Sequence, residues 1–205
     1  MIKKPIIFNP HNESIIFNPY YYQAAFIDPG TVSCGVRIVR FYKETKRIEL
    51  LYFNILNFGK EISEIMLGVN RELTLLLHIF INSHYIIIES QPLIRKDVFR
   101  CTQHIISFLS YNIKNKGVRG IIIEVDPKIK TVWIGGPATK KENGGKSIKD
   151  WSKQKAVEVS ILRNDEMTLK VLSSLKYKAK EDLSDTVCYD YAFWSYMLII
   201  KEIPK

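Results

Sequence analysis

The alternation of apolar and polar positions predicts strands first and then strands interleaved with helices. Five short runs rich in β-branched and aromatic residues have the length of strands. They cover residues 24–28, 34–42, 47–55, 84–90 and 120–127. Four longer segments carry apolar residues at helical spacing. These segments cover residues 61–82, 93–114, 151–176 with a break near Asn164-Asp165, and 181–200.

This order predicts an α/β protein with a mixed five-stranded sheet flanked by helices. Three antiparallel strands come first, followed by α-β-α-β-α, an order that resembles the ribonuclease H-like fold. The fourth and fifth strands lack alternation, as expected for strands buried on both faces. Residues 1–22 contain the segment IIFNP twice, at 6–10 and 15–19, and are predicted to be an N-terminal extension. Residues 23–205 then form the single domain.

Carboxylates stand where such a sheet would place a functional site. Asp28 closes the first predicted strand before Pro29-Gly30, and Glu89 closes the fourth. Ligands of open α/β sheets bind at the carboxyl ends of strands. Taken singly, Asp28 could cap a turn, and Glu89 could be stabilised by the dipole of the following helix.

A second pair of carboxylates begins the last helix. Asp182 and Asp185 are three residues apart, so they share one helix face. Acidic residues favour helix N-termini for electrostatic reasons alone, so this pair is also ambiguous by itself. Four carboxylates on two strand ends and one helix fit a two-metal site for phosphodiester chemistry. Oxygen ligands favour Mg²⁺ or Mn²⁺, and the scattered three cysteines and four histidines form no zinc motif or disulfide framework.

Four motifs carry a resemblance to a known family. FIDPG followed by CGV, then IIIESQP, SKQKAVEV and KAKEDLSDTVCYDYAFW, resemble segments of RuvC-type Holliday junction resolvases, most closely those of poxviruses and other large DNA viruses. The resemblance spans residues 24–198. It implies that Asp28, Glu89, Asp182 and Asp185 bind two Mg²⁺ ions, with Mn²⁺ as a substitute. It also implies an active-site lysine, for which we prefer Lys153 over Lys155. Leu93-Ile94 stand where poxvirus members have basic residues, a departure from the family pattern.

The charge distribution favours a nucleic-acid partner. The chain carries a net charge of +9, and residues 114–155 hold eleven Lys or Arg against four acids. A coding bias toward lysine would spread the charge more evenly, whereas a concentrated basic segment suits phosphate binding. Trp133 and Trp151 are candidates for stacking on opened bases. The predicted DNA-binding residues are Lys128, Lys130, Lys140, Lys141, Lys146, Lys149 and Lys155.

Together these patterns predict a magnesium-dependent endonuclease that resolves four-way DNA junctions by paired symmetric nicks, in DNA recombination or repair. Symmetric cutting calls for a twofold homodimer, and the resemblance places the helix after the glutamate strand at its interface. We expect branched DNA as partner, no small-molecule cofactor, no membrane association, and an intracellular location (for a viral protein, the site of viral DNA replication in the host cell).

Three alternatives stay open. The chain could be a non-catalytic DNA-binding module of the same fold, or a ribonuclease H. It could also be a fragment of an actin- or heat-shock-like ATPase, although no second Asp-x-Gly-Thr phosphate loop is present.

Overall fold

The structure, a computed structural model, describes residues 5–8, 18–116, 120–137, 139, 141–145 and 147–200, with side chains described through residue 196. The strands are β1 (Ile6–Phe8), β2 (Tyr21–Asp28), β3 (Cys34–Tyr42), β4 (Ile48–Leu56), β5 (Tyr85–Glu89) and β6 (Ile121–Val125). The helices are α1 (Ile62–Phe80), α2 (Lys96–Asn115), α3 (Ile129–Val132), α4 (Ile148–Leu162), α5 (Glu166–Ser174) and α6 (Tyr177–Ile200).

The strands form one mixed sheet in the order β1-β6-β5-β2-β3-β4. Strands β2, β3 and β4 are an antiparallel meander, and β5 and β6 run parallel to β2. The predicted α/β class is therefore confirmed, with all five predicted strands in place. A sixth strand arises because Ile6–Phe8, from the predicted extension, pairs antiparallel with β6. The predicted boundary at residue 22 falls inside β2, and residues 15–17 of the second repeat copy lie outside the described residues.

Alternate side chains of β2 enter two different cores, as the two-residue period of a strand requires. Ala25 and Ile27 belong to the core covered by α1 and α2. Ala24 and Phe26 belong to the opposite core, where Phe193 and Trp194 of α6 pack. The central strands are thus buried on both faces, which explains why β5 reads as an uninterrupted apolar run.

Local signals in the sequence explain the helix ends. Glu61 and Glu64 form a capping box at the start of α1. The predicted break between α4 and α5 occurs at Asn164, whose φ of 52° lies in the left-handed region, and Asp165 caps α5 by accepting a hydrogen bond from the Thr168 amide. The one-turn helix α3, at Ile129–Val132, was not predicted. Among the described residues, no helix is both long and apolar enough to cross a membrane.

A buried ionic network fastens α6 to the sheet. Arg37 of β3, 1 % exposed, bonds to Asp190 of α6 at 2.8 Å and to Asp165 at 2.7 Å. Its third partner is the hydroxyl of Thr168 at 2.6 Å, and Arg163 reaches Asp190 at 3.0 Å. Buried charges of this kind are tolerated because each has an oppositely charged or hydrogen-bonding partner. The network fixes where along β3 the helix lies.

Candidate metal centre

Two neighbouring parallel strands bring the first two carboxylates together. Ile27 of β2 pairs with Ile88 of β5, so Asp28 and Glu89 follow side by side at the same edge of the sheet. Helix α6 crosses this edge and contributes Asp185. Carboxylate oxygens of Asp28, Glu89 and Asp185 all lie within 4.8 Å of one another. Residues separated by more than 150 positions in the chain therefore form one acidic cluster.

A glycine permits the close approach of α6. Gly35 of β3 pairs with Asp28, and a Cβ atom added to it would lie 2.7 Å from the carbonyl oxygen of Asp182. Any larger residue would push the helix away from the strand ends. Ser33, in the turn before β3, donates a hydrogen bond from its hydroxyl to Asp182 Oδ2. Asp182 thus lies beside the three clustered carboxylates, oriented by the β2–β3 turn.

Like charges in a partly desolvated place raise carboxyl pKa values. Burial, followed by the nearby charges of Glu89 and Asp185, raises the pKa of Asp28 well above its ordinary value. Burial is also the largest cause of the raised pKa of Asp182, and Ser33 and Lys149 oppose it. The cluster therefore favours cations, whether protons, ammonium groups or metal ions.

An ammonium group lies inside the cluster. Lys130, in α3, places Nζ 2.6 Å from Asp185 Oδ2 and 3.5 Å from Glu89 Oε2, and its side chain is only 10 % exposed. Burial lowers the pKa of Lys130, but attraction to Glu89, Asp185 and Asp28 outweighs burial and raises the pKa above the usual lysine value. Lys130 was predicted to be a surface DNA contact, and the structure places it against the carboxylates.

Glu89 is held by neutral donors on both oxygens. Gln91 donates from Nε2 to Oε1 at 3.1 Å, and the Tyr189 hydroxyl donates to Oε2 at 2.6 Å. Tyr189 is 2 % exposed, and the Lys130 ammonium lies 5.1 Å from the centre of its ring. Burial first, and then the Glu89 charge, raise the pKa of this phenol well above its ordinary value, so it stays a donor.

The donor set fits a divalent metal ion. Asp185 Oδ1 is buried and has no hydrogen-bond partner among the described residues. Such an orphaned carboxylate oxygen costs free energy unless a cation completes it. Asp28, Glu89 and Asp185 offer the all-oxygen environment that Mg²⁺ and Mn²⁺ prefer. The residues present therefore suit a hard cation, with Asp182 adjacent.

The two lysines named as active-site candidates lie outside the acidic cluster. Lys153 contacts Asp150 at 2.8 Å and Glu181 at 3.8 Å, and its Nζ lies 3.4 Å from the centre of the Tyr177 ring. Lys155 pairs with Glu158 at 3.4 Å.

The remaining predicted DNA contacts have mixed settings. Lys128 and Lys141 are exposed, and Lys149 is 57 % exposed while it pairs with Glu181 at 3.1 Å. Lys140 and Lys146 lie outside the described residues. Trp133 stacks on Tyr196 with centroids 3.9 Å apart, and Trp151 covers Gly136. Both tryptophans therefore have protein neighbours.

Sequence reasoning missed three supporting residues: Ser33, Gln91 and Tyr189. Tyr189 follows Asp185 by four positions on the same helix, so helical spacing alone could have indicated that it faces the cluster. Gln91 follows Glu89 by two residues, but in the loop after a strand this spacing carries no directional information. Ser33 is brought to Asp182 only by tertiary packing.

Comparison with known proteins establishes the fold. No protein-family model matches the sequence, and no curated protein sequence matches it significantly. Among solved structures, the yeast mitochondrial Holliday junction resolvase Ydc2 is similar with a TM-score of 0.64 at 13% identity, over 87% of this chain and 82% of its own. Thermus thermophilus RuvC in complex with a Holliday junction substrate gives 0.53 at 13% identity, over 85% and 96%. Fowlpox virus resolvase in complex with Holliday junction DNA gives 0.53 at 16% identity, over 83% and 99%. The chain shares the fold of these proteins, as its sequence predicts.

Proposed function

We propose that this protein is a metal-dependent endonuclease that resolves four-way DNA junctions by paired, symmetric nicks. The observation that carries the proposal is the convergence of Asp28, Glu89 and Asp185 within 4.8 Å, with Asp185 Oδ1 buried and unpartnered. The shared fold with resolvases, two of them solved with Holliday junction DNA, gives the proposal its substrate. The concentrated positive charge of residues 114–155 supports a polyanionic partner.

We assign the cluster two Mg²⁺ ions, with Mn²⁺ as a substitute, held by Asp28, Glu89, Asp185 and Asp182. When bound, such ions would stabilise the attacking and leaving oxygens of a phosphodiester. The family resemblance implies that a water molecule attacks the phosphorus and that hydrolysis leaves a 3′-hydroxyl and a 5′-phosphate. Burial and the charges of Glu89 and Asp185 raise the pKa of Asp28, so protons compete with metal ions for this carboxylate. Tyr189 and Gln91 keep Glu89 in one orientation, because each donates to a different oxygen.

Among the described lysines, Lys130 is the one placed to act on a bound phosphate. Its ammonium already lies 2.6 Å from Asp185 Oδ2. We therefore assign to Lys130 the charge-stabilising role that the family resemblance implies for Lys153. Lys149, which is mostly exposed beside Glu181, and the exposed Lys128 and Lys141 supply phosphate contacts around the centre.

Symmetric cutting requires two centres, so we propose a homodimer. Within α2, Ile105, Ile106 and Leu109 are buried in the protein's own core and are not available to a partner. Large apolar side chains do remain exposed on α1 and α2, the helices that cover one face of the sheet. They are Leu67 (70 %) and Leu75 (66 %) of α1 and Tyr111 (68 %) of α2. We assign the interface to this face and expect sedimentation to give twice the chain mass. An intracellular site of action, at DNA, follows from the same proposal.

One assay tests the function. Labelled four-way junction, linear duplex and RNA–DNA hybrid are incubated with the protein, with and without Mg²⁺ or Mn²⁺. We expect paired nicks at symmetric positions in the junction alone, and only with metal. Cleavage of the hybrid would identify a ribonuclease H. Junction binding without nicking under either metal would identify a non-catalytic DNA-binding module.

The matched variant is Asp185→Asn, which keeps the size of the side chain and removes its charge. We expect this variant to bind the junction and to leave it uncut. Nicking at the wild-type rate by a pure preparation of Asp185→Asn would refute the assignment of the metal centre.

A further inference from the structure

A groove separates α4 from the beginning of α6, close to the metal centre. Its cavity measures about 480 Å³ and is lined by Lys153, Gln154, Val157, Glu158, Tyr177 and Lys180. Asp182 follows the lining residue Lys180 by two positions along α6, so the groove and the acidic cluster are neighbours on this helix. A volume of this size is in the range of small-ligand sites.

The groove carries an exposed aromatic ring. Tyr177 is 64 % exposed, although its hydroxyl donates to Asp150 Oδ1 at 3.1 Å. The Lys153 ammonium, itself bonded to Asp150, lies 3.4 Å from the ring centre. Tyr177 is therefore fixed by two contacts while most of its surface stays accessible. A fixed, exposed ring next to a cation is suited to stacking on a planar ligand.

The charges at the groove favour an anion. Glu158, the acid that lines it, pairs with Lys155, and the nearby Asp150 and Glu181 pair with Lys153 and Lys149. Lys180 of α6 also lines the groove, and within the part of the chain that the structure describes no carboxylate lies within salt-bridge distance of it. The groove therefore offers one unpaired ammonium group, that of Lys180, and an aromatic surface.

We propose that this groove binds one unpaired nucleotide of the substrate strand at the branch point, with its base on Tyr177 and its phosphate against Lys180. This inference rests on the proposed function and specifies where the strand continues beyond the cluster. A peptide would also fit the volume, but an acidic peptide would not need the ring, and an apolar one would not need the cations. A base with its phosphate uses both.

The test is junction binding in EDTA, measured by fluorescence anisotropy with the full-length protein. Tyr177→Ala is expected to raise the dissociation constant for a four-way junction about tenfold and that for linear duplex less than twofold, because only the junction offers unpaired bases. Tyr177→Phe keeps the ring and is expected to stay within twofold of wild type. Lys180→Ala is expected to weaken junction binding more than duplex binding and to reduce the slope of log K against log salt for the junction by about one. Tyr20→Ala, at a tyrosine 74 % exposed elsewhere, and Lys170→Ala, at an exposed lysine of α5, are the matched controls.

Two outcomes would overturn the proposal. Junction affinity unchanged in Tyr177→Ala would show that no base stacks there. An equal loss of junction affinity in Tyr177→Phe and Tyr177→Ala would show that the effect comes from the bond between the hydroxyl and Asp150, and not from stacking on the ring. Should Tyr177→Ala fail to fold, photo-cross-linking decides with the wild-type protein and a junction carrying 5-iododeoxyuridine at the branch point. An adduct on Tyr177 supports the proposal, and adducts only on other residues refute it. Nicking of the junction by the wild-type protein with Mn²⁺ tests the proposed function separately. If the wild type nicks the junction but the Tyr177 and Lys180 substitutions leave junction binding unchanged, only the proposed role of the groove is refuted.

Discussion

Replacing Lys130 with methionine should expose the competition between the ammonium and a metal ion for the same carboxylates. Nζ lies 2.6 Å from Asp185 and 3.5 Å from Glu89, with a side chain only 10 % exposed. At these distances the Coulomb attraction is about 5–6 kcal/mol per pair at an effective dielectric constant of about 20. Desolvation cancels much of it, and removing one partner of a buried ion pair costs about 3–5 kcal/mol. For a chain of this size such a loss lowers the unfolding midpoint by roughly 10 °C.

The variant should also respond more strongly to metal. An ion present at about 100 times its dissociation constant adds about 2.7 kcal/mol of stability. In the wild type, the metal ion must displace the Lys130 ammonium, which reduces the net stabilisation, whereas Lys130→Met has no ammonium to displace. Thermal unfolding with and without Mn²⁺ measures both quantities, with the exposed neighbour Lys128→Met as the control. If Mn²⁺ raises the midpoint of Lys130→Met no more than that of wild type, the ammonium and the metal do not share ligands.

Three further substitutions test the centre. Asp28→Asn should abolish nicking and stabilise the metal-free protein at pH 8 but not at pH 4. Because the pKa of Asp28 is raised in the folded protein, wild-type stability falls as pH rises from the ordinary carboxyl range through the raised value, whereas an amide does not titrate. Chemical denaturation at both pH values measures the stability difference between variant and wild type. A variant less stable than wild type at pH 8 would refute this prediction. Tyr189→Phe removes the 2.6 Å hydrogen bond to Glu89 and should weaken Mn²⁺ binding about 10- to 100-fold by calorimetry, whereas unchanged affinity would leave the hydroxyl without a role at the centre. Gly35→Ala should slow nicking through displacement of α6, because the new Cβ would meet the Asp182 carbonyl at 2.7 Å; a wild-type nicking rate would show that the close approach is not needed.

The sequence predicts those parts of the structure that depend on local pattern. Strand β5 is recognisable because a four-residue apolar run, followed by Glu89, suits a strand buried on both faces. Asp28 and Glu89 are predictable because each ends such a run at the edge where ligands bind. The break at Asn164 is likewise a local turn signal.

What the sequence does not predict depends on tertiary packing. Ile6–Phe8 becomes a strand only because the edge of β6 is available more than 110 residues later. Lys130 is one of eleven basic residues between positions 114 and 155, and only the turn through α3 brings it to Asp185. Lys153 lies in a motif with the right composition, yet Asp150 and Tyr177 draw its ammonium to another surface. Charge composition therefore identifies the segment, and geometry selects the residue.

The way α6 is attached has a consequence for how the protein acquires its activity. Asp182 and Asp185 are carried toward two other carboxylates by a helix that arrives last along the chain, so its docking is opposed by electrostatic repulsion. The free energy that overcomes this repulsion comes from the later part of the same helix, where Trp194 is buried and Asp190 bonds to Arg37. Without α6, only Asp28 and Glu89 of the four carboxylates stand at the strand ends. The metal centre that we propose is therefore complete only when α6 has docked, and a substitution that loosens the distal half of α6 is expected to weaken the centre without changing any of its ligands.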